Sequence, residues 1–291
     1  MIILDLDQVM ISNMMAQIGG RRVELSEDLL RHMVLNSIRA MRSKFLREYG
    51  PEFVIANDDR NYWRRNVFPY YKAQRKQWRD QSNLDWKAIF EAINVIRDEL
   101  REVFPYKFIQ VDGAEADDII GTLCKEYSGP DPILIISGDK DFQQLQKYDN
   151  VSQYDPVRKR FLKCDDPHTF CIEHIMQGDK SDGVPNVLSE DDCFINGRQK
   201  PLRKKLIGEI CSLPRSSEGK VIDIDLWSDF TPEQVRNFAR NATLIDLDNT
   251  PEYVSINIIQ EYEKEPNDRS GLFNFFIEKK LKGLMDHIGE F

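Results

Sequence analysis

Residues 132–141 read PILIISGDKD. Ile133 to Ile136 form an unbroken apolar run, bounded by Pro132 and Gly138. A short run of this kind is a strand buried on both faces, the habit of a central parallel sheet. Two acids, Asp139 and Asp141, follow at once, and Phe142 to Lys147 is expected to begin a helix.

The same texture recurs upstream. Residues 2–6 are apolar apart from Asp5 and read as a buried strand, and Phe53 to Ala56 form a second that ends in Asn57, Asp58 and Asp59. Phe108 to Val111 read as a third strand. Between them lie helical patterns. Residues 26–49 carry Leu29, Leu30, Met33, Val34, Ile38, Met41 and Phe45 at helical spacing, with Ser26 as cap. Residues 84–103 repeat the pattern, and Ala114 to Tyr127 is helical and entered through acids. The alternation predicts an α/β fold, a mostly parallel central sheet with flanking helices. Beyond about residue 180 the texture changes: Gly, Pro, Asn and Ser with a basic stretch, then helical patterns that include 232–239 and 273–288. The expected division is an α/β unit over 1–180, including a basic segment at 60–80, and a smaller helical C-terminal unit over 181–291.

In such sheets ligands sit beyond the carboxyl ends of the strands. There the sequence gathers acids: Asp5 and Asp7, Asp58 and Asp59, Glu115 with Asp117 and Asp118, Asp139 with Asp141, then Asp179 and Asp182 in a glycine turn. Acids at helix starts are common, because they favour the helix dipole. Five clusters together would repel one another unless cations were held among them. Hard cations such as Mg2+ take carboxylate oxygens, and a pair ~3.5–4 Å apart can clamp the attacking and leaving oxygens of a phosphodiester. Asp5-Leu6-Asp7-Gln8-Val9 alone also suits a haloacid-dehalogenase-type phosphatase, in which the first Asp is the nucleophile.

Residues 60–79 read RNYWRRNVFPYYKAQRKQWR, with seven bases and no acid. Arg60, Arg64, Arg65, Lys72, Arg75, Lys76 and Arg79 interleave with Tyr62, Trp63, Phe68, Tyr70, Tyr71 and Trp78. Bases grip phosphates and rings stack on unpaired nucleobases, which suits a single-strand groove. Lys72, Arg75 and Lys76 are expected along one helical face, where they could steady charge at a scissile phosphate. Tyr62 and Trp63 are equally compatible with core packing. That segregation matters in a chain of 291 residues whose net charge is −9, a balance that by itself disfavours nucleic acid. Arg203, Lys204 and Lys205 form a second basic stretch.

Five cysteines, Cys124, Cys164, Cys171, Cys193 and Cys211, include no Cys-x-x-Cys pair. A zinc finger or disulfide framework is not expected, and a reducing cytoplasm fits. The start, with an acid at Asp5, does not read as a signal peptide, and no apolar run is long enough to span a bilayer.

The run ANDDRNYWRRNVFPYYKAQRK, followed in order by GAEADD, ISGDKDFQQL and GDKSDGVPN, resembles the flap endonuclease/5′-3′ exonuclease family over essentially the whole chain. The resemblance implies a 5′-nuclease-like fold. It also implies two Mg2+ ions, for which Mn2+ could substitute. It assigns Asp5, Asp58 (with Asp59 as the alternative), Glu115, Asp117, Asp118, Asp139, Asp141, Asp179 and Asp182 as ligands. It matches Lys72, Arg75 and Arg79 to the bases of a helical arch. The turn after Asp182 matches an element that grips duplex phosphates, sometimes around K+; here Gly183 stands for the family's Asn and Asn186 for its Gly. The implied activity is 5′-3′ exonuclease and flap cutting of DNA and RNA–DNA by a monomer, removing primers and flaps in phage replication within the host cytoplasm. A sliding clamp and a single-strand-binding protein are candidate partners. Phe273, Phe275 and Phe276 would either anchor such a partner or pack the last helix. A non-catalytic branched-DNA module is the remaining alternative.

Overall fold

The structure, a computed structural model, describes residues 1–18, 26–212 and 230–291. In chain order it runs β1 (Ile2–Asp5), α1 (Leu6–Ile18), α2 (Glu27–Tyr49), β2 (Phe53–Ala56), α3 (Trp63–Val67), α4 (Gln74–Gln81), α5 (Trp86–Val103), β3 (Lys107–Ile109), α6 (Ala116–Glu126) and β4 (Ile133–Ile136). There follow β5 (Val151–Asp155), β6 (Arg160–Leu162), α7 (Pro167–Gln177), α8 (Cys193–Asn196), α9 (Lys204–Cys211), α10 (Pro232–Ile245), α11 (Glu252–Tyr262), α12 (Leu272–Glu278) and α13 (Lys282–Met285).

The strands form one sheet in the order β3-β2-β1-β4-β5-β6. All neighbours are parallel except β5 and β6. Leu4 lies opposite both Ile55 and Ile136, so β1 is flanked on both edges. Side chains alternate between the two faces. Ile2, Leu4, Phe53, Ile55, Leu134 and Ile136 join one core with α1, α2 and α5. Ile3, Val54, Ile133 and Ile135 join a second core with α6 and α11. Burial on both faces explains why these strands read as continuous apolar runs. The strand order reverses between β1 and β4, and the crevice at such a switch point is where ligands bind in open α/β sheets.

Several elements differ from expectation. The third strand is Lys107–Ile109, because Gln110 to Ala114 leave in a turn that needs Gly113 at φ +80°. Helix α6 starts only at Ala116, since Glu115 and Asp118 close a capping box around its entry. Residues Lys140–Lys147 form a 3-10 helix that stops at Tyr148 and feeds β5, a strand not anticipated. The last helical stretch is two helices, broken at Lys280 with φ +55°. Where Ser26 was expected to cap, its hydroxyl does accept from Leu29 N at 3.3 Å.

Among its described residues the 181–291 region contains no strand. With α7 it builds a small helical lobe around Ile172, Met176, Val187, Ile207 and Ile210. The chain then returns to the sheet. Val254 and Ile258 of α11 enter the second core, while Phe275, Phe276, Leu281, Leu284 and Phe291 enter the first. Phe104 is the hub, with ring centroids 5.6 Å from both Phe275 and Phe291. Phe275 and Phe276 thus pack, whereas Phe273 is 55% exposed. No helix among the described residues is long and apolar enough to cross a membrane. Because Phe276 is fully buried, Phe276→Ala is expected to cost about 3–5 kcal/mol in a denaturant titration. A loss under ~1 kcal/mol, the range of ordinary surface changes, would show that the C-terminal helices do not share the core.

Candidate metal centre

Asp5 ends β1. Its Oδ2 accepts from Ser137 Oγ at 2.9 Å and its Oδ1 from Gln8 N at 3.2 Å. Burial, then Asp7 and Asp139, push its carboxyl up to about 7. Asp58 leaves β2 and accepts from Ala116 N at 2.7 Å, at the start of α6. Its carboxyl is raised well above the usual range by burial, then by Asp7 and Glu115. Asp117, in the first turn of α6, is raised by burial and then by Asp139, Glu115 and Asp58. Acids from three strand ends therefore crowd one spot at the switch point.

The loop after β4 extends this spot. Asp139 caps the 3-10 helix by accepting from Asp141 N at 3.0 Å. The protein packed around it raises its carboxyl, as do Asp182 and Asp179. Burial pushes Asp141 up to about 7, against the pull of His174. Two glutamines hold the loop: Gln8 Oε1 accepts from Gly138 N at 2.6 Å, and Gln153 Nε2 donates to Ser137 O and Asp139 O at 2.9 and 2.6 Å. The polar residues of β5 that hid it from a hydrophobic reading are thus there for a reason.

The glycine turn closes the far side. Asp179 Oδ1 accepts from Ser181 N at 2.6 Å, and Oδ2 meets Lys140 Nζ at 3.0 Å and His174 Nε2 at 3.2 Å. Burial opposes ionisation, but His174, Ser181 and Lys140 outweigh it and hold the carboxyl far below the usual range. The turn depends on Gly178 and Gly183 at φ +67° and +72°. A Cβ on Gly178 would lie 2.3 Å from Val184 O, and one on Gly183 would lie 2.3 Å from Gln74 Oε1. Gln74 is buried there, donating to Lys180 O and Ser181 O at 3.0 and 3.1 Å. Lys72 N donates to Asp182 O at 2.7 Å. The basic segment is stapled to the turn.

The other candidate acids are engaged by protein groups. Asp118, expected among the ligands, is fully buried: Arg64 Nη1 at 2.8 Å, Glu115 N at 2.9 Å and Trp63 Nε1 at 3.1 Å serve one oxygen, and Thr250 Oγ1 at 2.9 Å the other. It braces α6. Neighbouring helical positions point about 100° apart, so Asp117 and Asp118 cannot share one face. Asp59 accepts from Gly113 N at 3.1 Å and braces the turn after β3, leaving Asp58 as the acid near the cluster. Glu115 lies at the cluster but is held by Arg64 at 3.0 Å, by Tyr71 and by Lys72. Asp182 meets Tyr71 OH at 2.9 Å and Arg75 Nη2 at 2.5 Å.

The bases divide likewise. Arg64, expected on nucleic acid, is 1% exposed and bonded to Glu115, Asp118 and Leu244 O. Lys72 does not share a helical face with Arg75 and Lys76. It precedes α4, at φ +56°, and is 8% exposed. Burial would lower its ammonium, but Asp182 and Glu115 outweigh that and hold it above the ordinary lysine range. Arg60, Arg65 and Lys76 are exposed, Arg75 and Arg79 half-buried. Of the six rings, Trp63, Phe68 and Tyr71 are core, while Tyr70 and Trp78 are exposed. Arg203, Lys204 and Lys205 are exposed at the start of α9.

One group escaped the sequence reading. His174 of α7 is buried, its Nδ1 3.6 Å from Asp141 Oδ1. Asp141, His174 and Asp179 can bring one ligand atom each within 4.8 Å of one another. Its only signal was a histidine five residues before Asp179 on an apolar helix, which reads as core.

The raised carboxyls set a sign for stability. Asp5 and Asp141 bind protons more tightly folded, at about 7, than their ordinary value of 3.8. The folded chain then holds more protons than the unfolded chain between those values, and stability falls as pH rises through them. Asp179, held low, acts only below that window. In chelator the melting temperature is expected to fall from about pH 5 to about pH 8, and divalent ions to restore it at the upper end. A melting temperature that rises over this range would overturn the reading.

The model of the 5′-3′ exonuclease N-terminal resolvase-like domain matches residues 21–173, and that of the T4 RNase H C-terminal region matches residues 166–291. Ribonuclease H of Enterobacteria phage T4 is 32% identical over 99% of this chain and 95% of its own length. A flap endonuclease Xni of Shewanella sp. (strain ANA-3) is 28% identical over 41% of this chain and 44% of its own. Among solved structures, a bacteriophage T5 flap endonuclease in complex with DNA and metal ions superposes with TM-score 0.65 at 18% identity, covering 90% of this chain and 99% of that one. Its fold is this fold: a mostly parallel sheet, flanking helices and a helical C-terminal region. Matched over more than half its length by the exonuclease domain and over nearly all of it by a 32% identical relative, the chain belongs to the 5′-3′ exonuclease family.

Proposed function

We propose that this chain is a Mg2+-dependent 5′ nuclease with exonuclease and flap-endonuclease activity on DNA and RNA–DNA. The observation that carries the reading is the convergence of Asp5, Asp58, Asp117, Asp139 and Asp141 at the switch point, raised by burial and mutual repulsion. The donors fit hard divalent ions: all are carboxylates, and Asp141 Oδ1 is buried without a hydrogen-bond partner among the described residues. Asp5, Asp58, Glu115 and Asp117 would hold one ion, and Asp139, Asp141, Asp179 and Asp182 a second. Two Mg2+ ions, or Mn2+ in their place, would supply Lewis-acid activation of water and charge for the leaving oxygen.

The residues of the chain do the rest. Arg60, Arg65, Lys76 and Arg79 attract the phosphates of a single-stranded 5′ end, and Tyr70 and Trp78 offer it stacking faces. Lys72 and Arg75 hold positive charge against Glu115 and Asp182, where a scissile phosphate would arrive. Arg203, Lys204 and Lys205 grip duplex phosphates. The single-strand function lies in the 1–180 unit and the duplex grip in 181–291, with Asp182 of the glycine turn joining the metal-binding acids across that boundary. Two asparagines of α10 hold the turn after Asp182: Asn237 Nδ2 donates to Val187 O and Ser189 O at 3.1 and 3.2 Å, and Asn241 Nδ2 to Ile175 O and Pro185 O at 2.8 Å each. The biological role is removal of RNA primers and flaps in phage replication by a monomer in the host cytoplasm. A sliding clamp or single-strand-binding protein would meet the exposed Phe273.

Nicked, flapped and RNA-primed duplexes, with and without Mg2+, test the reading. Chelator and Asp139→Asn are each expected to lower cleavage by at least about a hundredfold, the scale of losing one charge-stabilising group. Cleavage surviving in chelator would sink the metal reading.

Capture and chemistry separate in a salt series. Lys204→Ala with Lys205→Ala should weaken duplex binding, lower the log–log salt slope by roughly 0.9 per lost contact, and recover full rate at saturating enzyme. Lys72→Ala with Arg75→Ala should stay slow in single turnover however much enzyme is added. Full recovery of that variant would leave these two residues a binding role alone.

A further inference from the structure

His174 carries this inference. Its ring lies 5.9 Å from Phe170 and bridges two carboxylates by its two nitrogens. The contacts are unequal. Nε2 is 3.2 Å from Asp179 Oδ2, within hydrogen-bond distance, and the same carboxylate is also met by Ser181 and Lys140. A carboxylate oxygen at hydrogen-bond distance takes the ring proton at Nε2, which leaves a lone pair on Nδ1. That lone pair faces Asp141 Oδ1 at 3.6 Å, beyond a hydrogen bond. Asp141 Oδ1 is itself buried with no hydrogen-bond partner among the described residues. A cation between the two atoms would satisfy both. Metal–ligand bonds of ~2.0–2.2 Å span a 3.6 Å pair of donors at an open angle between the two bonds. A carboxylate that orients a metal-bound imidazole through its other nitrogen is a recurrent device, and Asp179 would serve the second ion in that way, through His174 in place of a direct bond.

We propose that His174 Nδ1 is a metal ligand. With Asp141 it gives one of the two ion positions a nitrogen donor and tilts that position toward Mn2+ or Zn2+ over Mg2+. Imidazole suits transition ions, while Mg2+ prefers oxygen. The inference rests on the metal-dependent reading above, and it concerns only which atoms hold the ion. The competing arrangement is an imidazolium clamped between Asp141 and Asp179, a brace with both nitrogens protonated and no donor for a metal.

Pulsed electron paramagnetic resonance on the full chain with substoichiometric Mn2+ decides between them. The probe is Mn2+ itself, and the readout is coupling to a directly bound nitrogen. In wild type that coupling is expected, and it should change to the heavy-isotope pattern when histidine alone is isotope-labelled, a comparison that needs no variant. His174→Gln should abolish it and lower the Mn2+-to-Mg2+ affinity ratio by about tenfold, the low end for losing a metal-site partner. Bound Mn2+ with no nitrogen coupling in wild type, or coupling that survives His174→Gln, overturns the proposal and leaves the nuclease reading intact. Failure of Mn2+ to bind at all overturns both.

Discussion

Like charges brought together cost free energy unless something of opposite sign lies among them. Carboxylates from the ends of β1, β2 and β4, from the start of α6 and from the glycine turn meet at one crevice, and the site is arranged around that cost. Arg64 and Lys72 stand against Glu115, Arg75 against Asp182, and Lys140 against Asp179. These pairs quiet the edge of the cluster. Lys72 also lowers Asp58 and Asp117, but burial outweighs it, and the carboxyls of Asp5, Asp58, Asp117 and Asp141 stay raised. The residual repulsion is what a divalent ion would relieve, so metal binding and stability are tied in the same residues.

The fold was legible where burial dictates sequence. Ile133 to Ile136 and Ile2 to Leu4 are covered on both faces, and nothing but apolar side chains is tolerated there. The sequence around β5 is different. Val151 and Tyr154 face the cores, but Gln153 is buried to hold the loop at Asp139. A polar residue serving a loop breaks the pattern by which strands are found. Residues 273–288 kept a helical apolar stripe across a break that only the backbone at Lys280 reveals.

The site was legible as a set of acids at strand ends, because chain order and β-strand polarity place them at one edge. Which acids face the crevice was not. Asp117 and Asp118 are adjacent in sequence and differ by a rotation about the helix axis. Arg64 and Arg65 differ in the same way, one in a buried network with Asp118 and the other exposed. A count of bases in residues 60–79 cannot separate a cation that neutralises the protein's own acids from one offered to a ligand. His174 was invisible because its partners, Asp141 and Asp179, come from separate loops.

The staple between the basic segment and the glycine turn has a thermodynamic consequence. Lys72 N, Gln74 Nε2 and Arg75 all end on residues 180–182, in the same turn that carries Asp179 and Asp182. Segment and turn are therefore joined by direct hydrogen bonds. If a strand entering the segment displaces it, the affinity of the turn for an ion changes by some factor. The ion must then change the affinity for that strand by the same factor. A titration of either in the presence of the other measures one coupling energy from two directions, and the two values must agree.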